Sequence, residues 1–182
     1  VSEAAFRVIT AALEHIDMRN HEGEHPRIGA VDVCPFIPLK NVTMEECVEM
    51  SKELAQRVSR ELYIPTFLYG AAAASPERNL LSDLRKGQYE GLKNRLENGG
   101  PHLPDFGPIE WTETVSRFGA VVIGARGILV AYNVNVNEKD AKAAKIAGSL
   151  VRTTGRLLKG DDGRRTRIPG MLEMVQGMGL PL

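Results

Sequence analysis

An α/β layered fold is what the sequence predicts, and three neighbouring stretches predict it. Residues 30–39 read as a buried strand, Thr43 opens an amphipathic helix reaching Leu62, and Ile64 to Tyr69 reads as a second short strand. Strand, helix and strand of these lengths are the unit from which helix-covered sheets are built. With 182 residues, 43% of them apolar and 25% charged, the chain can bury a core beneath such a sheet.

Taken in order, Ser2 to Asp17 is helical, with Ala5, Phe6, Ile9, Ala12, Leu13 and Ile16 on one face and Ser2 available as its cap. Gly23 and Pro26 stop helix from continuing through the histidines that follow. In the strand over 30–39, Pro35 and Pro38 lack amide donors and favour an edge, a bulge or the strand's end. Thr43-Met44-Glu45-Glu46 is a capping box, and Cys47, Val48, Leu54, Ala55, Val58 and Leu62 line one face of the helix behind it.

Gly70 to Gly100 reads as loop and helix, with Leu80, Leu81, Leu84, Tyr89, Leu92 and Leu96 directed inward, and Gly99-Gly100-Pro101 ends it. Pro101 to Gly119 has little periodicity and reads as a long structured loop, a kind of segment that often carries function. Ala120–Ile123 and 127–136 are strand material; Asn133 and Asn135 share a face of the second. Glu138 to Leu158 reads as a helix weakened by Gly148 and Gly155. Lys159 to Pro169 reads as a basic, solvated loop or an anion-contacting lid, and Met171 to Met178 as a last strand. A domain boundary is expected near Gly124-Ala125-Arg126-Gly127, dividing the chain into 1–124 and 125–182.

Lys plus Arg and Asp plus Glu each total 23, so no net charge draws the chain to nucleic acid or to an anionic membrane. No run approaches the roughly 18 apolar residues of a membrane span. Cys34 and Cys47 fall in a strand-like and a helix-like segment without metal-ligand spacing, as expected of reduced thiols in a cytoplasmic protein.

Chemistry concentrates in His21-Glu22-Gly23-Glu24-His25-Pro26-Arg27, which holds two of the four histidines, two carboxylates and an arginine. Read as letters, His21-x-x-Glu24-His25 matches an inverted zinc-peptidase pattern, but that pattern needs a helix, which Gly23 and Pro26 oppose; no metal is expected. Gly119 to Gly124 has the first spacing of a phosphate loop, yet Ala125-Arg126 replaces its Lys-Ser/Thr pair. General acid–base work fits better. A loop imidazole titrates near neutrality, Glu24 or Asp32 can raise its pKa, and Pro26 restricts His25 to extended backbone.

The run Gly23-Glu24-His25-Pro26-Arg27-Ile28-Gly29-Ala30-Val31-Asp32-Val33-Cys34-Pro35-Phe36-Ile37-Pro38 closely resembles the formiminotransferase family, the glutamate formimidoyltransferases of histidine catabolism. The likeness continues through Tyr69-Gly70, Pro104-Asp105-Phe106-Gly107-Pro108, Gly124-Ala125-Arg126 and Ala131-Tyr132-Asn133-Val134-Asn135, and covers nearly the whole chain.

The resemblance implies transfer of a formimino group from N-formimino-L-glutamate to tetrahydrofolate, giving 5-formiminotetrahydrofolate and glutamate. It implies two α/β subdomains with mixed β-sheets facing each other, helices outside and the folate site between them, in a homodimer. His25 takes the position of the family's catalytic acid. The folate-binding loop becomes Gly107-Pro108-Ile109-Glu110-Trp111-Thr112-Glu113-Thr114-Val115-Ser116-Arg117-Phe118-Gly119.

Arg27, Arg117 and Arg126 are candidates for the substrate and folate carboxylates, or else ion-paired surface residues. Asn133 and Asn135 can serve folate or an inter-sheet polar pair; Trp111 and Phe118 can stack on the pterin or anchor the loop. Members of the family carry a segment before the counterpart of Val1 and continue past Leu182. The sequence is therefore expected to be part of a longer protein, or a degenerate member whose role is non-catalytic binding of folate or a partner.

Overall fold

The computed structural model describes residues 1–99, 103–129, 141–152, 156–159 and 165–169. The chain divides into two compact units, Val1–Leu129 and Val130–Leu182.

The first unit begins with α1 (Ser2–His15), followed by a 3-10 turn over Met18–Asn20, β1 (Asp32–Phe36), α2 (Met44–Leu62) and β2 (Thr66–Gly70). A second 3-10 turn (Pro76–Arg78) leads to α3 (Leu81–Leu84), α4 (Gln88–Glu97), α5 (Glu113–Phe118) and β3 (Val121–Ala125). The three strands run parallel in the order β1-β3-β2, with Val121 beside both Asp32 and Thr66 and Ala125 beside both Phe36 and Gly70. Among the described residues β1 therefore lies on an edge, where Pro35 costs no ladder bond on its open side and four of its five residues are half-buried rather than buried as expected.

All five residues of β3 are buried, as its unbroken apolar run requires of a central parallel strand. Alternate residues feed two cores. Val121 and Ile123 pack with Ile9 of α1 and Leu54, Ala55 and Val58 of α2; Val122 packs with Leu84, Leu92, Leu96 and Val115. Each large apolar side chain buried in this way contributes about 2 kcal/mol. At Gly124 a Cβ would stand 2.2 Å from the Tyr69 carbonyl oxygen, so only glycine lets β2 and β3 approach there.

The capping box forms as expected: Thr43 Oγ1 accepts from the Glu46 amide at 3.1 Å, and Glu46 accepts from the Thr43 amide at 2.7 Å. Other expectations need correction. Val1, not Ser2, occupies the N-cap of α1, without a side-chain bond. Leu80 is 60% exposed, because it precedes α3 and does not belong to its buried face. The presumed long loop contains α5, capped by Thr112 Oγ1 on the Val115 amide; one and a half turns are too short to leave a periodic signal.

In the second unit, α6 spans Ala141–Val151, and Arg156–Lys159 (β4) pairs antiparallel with Arg165–Ile168 (β5). The expected helix thus ends before Leu157 and Leu158, which lie in a strand, and the expected basic loop has a strand in its second half. Cross-strand pairing overrides local helix propensity here. Residues 127–129 are irregular, and Asn133, Asn135 and the strand expected over 171–178 lie outside the described residues. Among the described residues no helix is long and apolar enough to cross a membrane.

Candidate functional site

The histidine-bearing segment is an irregular loop fastened at both ends. On one side Asp17 caps the 3-10 turn by accepting from the Arg19 amide at 3.0 Å, and Met18 is 2% exposed. On the other side Ile28 is fully buried, and Gly29 forms an isolated antiparallel bridge with Gly119. Between these anchors His21 to Pro26 are exposed. No helix forms, so the zinc-peptidase geometry is absent from this loop. Among the described residues there is no group of three or more histidines, cysteines or carboxylates placed to hold a metal.

Arg27 holds the loop from within. Its Nη1 and Nη2 donate to the two Glu90 carboxylate oxygens at 3.0 and 2.7 Å, Nη1 also to Gln88 Oε1, Nη2 to the His21 carbonyl at 3.0 Å, and Nε to His21 Nδ1 at 3.3 Å. Its side chain is only 11% exposed, and the Glu90 carboxylate raises its pKa further while being lowered in return. Arg27 is therefore committed within the protein.

A cleft of about 580 Å³ opens beside the loop, lined by His21, Gly23 to Arg27, Gly29, Ala30 and, from elsewhere, Ile16, Met18, Asp32 and Arg85. Asp32 starts β1 in the left-handed region, at φ +61°, a conformation that asparagine and aspartate tolerate best. Its Oδ1 accepts from the Ile28 amide at 3.0 Å and from Arg85 Nε at 3.2 Å, and its Oδ2 from Arg85 Nη2. This carboxylate serves Arg85 and Ile28, so of the two carboxylates expected to tune the imidazole, Glu24 or Asp32, Asp32 is engaged elsewhere. Among the described residues the His25 imidazole has no hydrogen-bond partner and stands open to the cleft.

Tyr89 of α4 joins this loop to the expected folate loop. Its amide donates to the Arg27 carbonyl at 2.9 Å, its hydroxyl donates to the Ser116 carbonyl, and its ring lies 5.8 Å from that of Trp111. Burial pushes its pKa up, which keeps the hydroxyl a donor at neutral pH. The folate-loop candidate itself starts from a firm anchor: Asp105 accepts from the Leu68 amide at 2.7 Å and pairs with Arg78 at 2.7 and 2.9 Å. Gly107, at φ +99°, then passes so close to Ile64 that a Cβ would lie 2.7 Å from its carbonyl oxygen.

Along this loop Gly107, Ile109, Glu110 and Glu113 are exposed, Pro108, Trp111, Thr112, Thr114, Ser116 and Arg117 half-buried, and Val115, Phe118 and Gly119 buried. Trp111 is half-buried and packs against the core beside Tyr89. Arg117 donates to the Glu14 carbonyl at 2.6 Å and ties α5 to α1. Arg126 follows β3 at the opposite end of the strands from Asp32, its Nη1 on the Gly127 carbonyl at 3.0 Å. Sequence reasoning missed Arg85 and Glu90 and read Tyr89 only as an inward-facing residue; Arg85 caps α3 and the other two lie in α4, with no local signal for the contacts they make.

Comparison with known proteins adds a family to this geometry. The family model of the formiminotransferase domain, N-terminal subdomain, matches residues 1–126. Among curated proteins the chain is 45% identical over 155 residues to the glutamate formimidoyltransferase of Streptococcus pyogenes serotype M1, covering 85% of this chain and 50% of that protein. It is 46% identical over 152 residues to the glutamate formimidoyltransferase of Thermoplasma acidophilum, covering 82% and 48%. It is 44% identical over 179 residues to the formimidoyltransferase-cyclodeaminase of Dictyostelium discoideum, covering 98% and 31%. The chain spans about a third to a half of the length of these relatives.

Proposed function

Because the chain belongs to the formiminotransferase family, we propose that the protein containing it moves the formimino group of N-formimino-L-glutamate to tetrahydrofolate in the breakdown of histidine, with His25 as general acid. The observation that carries this reading is the cleft in which an exposed imidazole stands beside an Asp32–Arg85 pair, on a loop fastened by Arg27 and Gly29.

Transfer joins the formimino carbon to folate N5 and breaks its bond to the glutamate nitrogen. The attacking N5 gives up its own proton to solvent, and the departing nitrogen takes one from the His25 imidazolium on the open side of the cleft. Pro26 keeps the His25 backbone extended, and the Arg27–Glu90 pair holds the adjoining chain, so the imidazole works from a defined position.

For tetrahydrofolate we propose the exposed part of the loop, Gly107 to Glu113. A carboxylate at Glu110 can accept from pterin N–H groups, and Ile109 offers apolar surface, a donor set suited to a flat hydrogen-bonding heterocycle. Val115 and Phe118 contribute by holding α5 in the core. Arg126 remains a substrate-site proposal and Asn133 is retained on resemblance alone; Arg27 acts by positioning the loop. The same reading takes the protein to be a cytoplasmic homodimer with a subdomain boundary near residue 124. The family match ending at 126 and the division at 129 support that boundary.

The test is formimino transfer by the full-length protein, followed by absorbance, with circular dichroism as the folding control. His25→Ala is expected to stay folded and lose on the order of 10² to 10⁴ in rate, the usual contribution of a general acid. A folded, inactive wild type that still binds folate would instead indicate a binding relative.

A further inference from the structure

Two guanidinium groups line the cleft beside His25, and they differ in what they have left to offer. Arg27 spends every nitrogen on Glu90, Gln88 and His21. Arg85 spends only the Nε–Nη2 edge, on Asp32; among the described residues its Nη1 has no hydrogen-bond partner, and its side chain is 24% exposed.

Its placement is over-determined. The Arg85 amide donates to the Leu81 carbonyl at 3.0 Å, and its carbonyl accepts from the Gln88 amide at 2.8 Å. The turn between these bonds runs through Gly87 at φ +80° and Gln88 at φ +55°, an unusual backbone for glutamine. Asp32, itself aimed by the Ile28 amide, then fixes the plane of the guanidinium. A guanidinium oriented by one carboxylate and left with a free donor edge toward a cleft is built to take a second carboxylate.

Resting on the transferase reading, we propose that Arg85, steered by Asp32, binds the α-carboxylate of the formimino donor. The chemistry selects that carboxylate: it is two bonds from the nitrogen that His25 protonates, so it must lie in the same cleft as the imidazole, whereas the side-chain carboxylate can reach elsewhere. Arg85 makes the site specific for an α-amino acid derivative, and Asp32 is a positioning residue.

The experiment compares N-formimino-L-glutamate with its α-carboxamide on the full-length protein. The wild type is expected to prefer the carboxylate by on the order of ten- to a hundredfold in kcat/KM, the scale of a charge-assisted hydrogen bond, chiefly through KM. Arg85→Gln abolishes the preference by weakening the carboxylate substrate and sparing the amide. Because Arg85→Gln alone leaves Asp32 without its partner, Asp32→Asn/Arg85→Gln serves as the second variant; Asn keeps an acceptor for the Ile28 amide and tolerates φ +61°. If the double variant regains the preference, or if Arg85→Gln retains it, Arg85 is a structural partner of Asp32 and the inference is overturned. Should the folded wild type carry out no formimino transfer, the transferase reading fails separately, and calorimetry decides the Arg85 inference. L-glutamate binding weakened about tenfold in Arg85→Gln supports it; equal or absent binding overturns it.

Discussion

Gly29 and Gly119 face each other across a single antiparallel bridge that stitches the His25 loop to the end of the loop beginning at Gly107. The Ala30 amide donates to the Phe118 carbonyl at 2.8 Å, and the Ala120 amide to the Ile28 carbonyl at 3.1 Å. A Cβ on Gly29 would stand 2.1 Å from the Ala120 carbonyl oxygen; one on Gly119, at φ +82°, would stand 2.4 Å from that of Ile28. Both obstacles are backbone, which cannot swing aside. Gly29→Ala is therefore expected to cost about 3 kcal/mol or more, read as a lower urea midpoint, and a wild-type midpoint would contradict this packing.

Gly91, within α4, predicts the opposite sign. No atom lies within 4 Å of where its Cβ would be, and its φ is not positive. Gly91→Ala should stabilise by roughly 0.5–1 kcal/mol through helix propensity and lost unfolded-state entropy. A fall in the thermal midpoint would mean that this helix face is covered in the full protein.

The Arg27–Glu90 pair makes a pH prediction. Its hydrogen bonds to Arg27 hold the Glu90 carboxyl below the usual 4.5, so the folded state binds that proton less tightly than the unfolded state does. The contribution is fully present above pH 4.5 and is lost as pH falls through the lowered folded value. Glu90 is 61% exposed, so screening keeps the contribution small, within about 1 kcal/mol. The stability difference between wild type and Glu90→Gln should shrink on acidification from pH 6 to pH 3. A difference that stays constant or grows in acid would show that the ionised pair contributes nothing.

Arg95 is 8% exposed, has no carboxylate partner among the described residues, and leaves Nε and Nη2 unbonded. Its Nη1 donates to the Leu84 carbonyl at 2.8 Å and its guanidinium sits 4.7 Å from the Phe67 ring centre. Burial drives its pKa down to about 10. A buried cation so poorly compensated is a cost, and Arg95→Met should leave stability equal or raise it by about 1 kcal/mol. Calorimetric unfolding measures this; a loss of more than about 2 kcal/mol would show that the ring and carbonyl contacts outweigh desolvation.

Cys47 is shielded at 1% exposure, and burial raises the pKa of Cys34, so neither is a ready target for alkylation. Alkylation followed by mass spectrometry should modify both at least about tenfold more slowly in native than in denatured protein. Rapid native modification of Cys34 would place a reactive thiol on the edge strand.

Local chemistry made part of this protein readable without coordinates. The capping box of α2 lies within four residues, the apolar run over Ala120–Ile123 reads as strand, and Gly23 with Pro26 dictates an irregular course for the His25 loop. The resemblance added a family and a candidate acid. Where local signals are weak or contested the pattern misleads: α5 is too short to be periodic, and β4 carries a helix-like local pattern because its strand depends on pairing with β5.

What the sequence by itself determined is therefore where α2 caps, where the three parallel strands lie and which histidine sits on a loop, because each depends on neighbours a few positions away. Tertiary structure alone decided the β1-β3-β2 order, the bridge between Gly29 and Gly119, and which arginine keeps a free edge. Arg27 is neutralised by Glu90 of α4, and Arg85 is aimed by Asp32 of β1. Those partners lie far apart in the chain, and only the packing of α3 and α4 against the sheet brings them together.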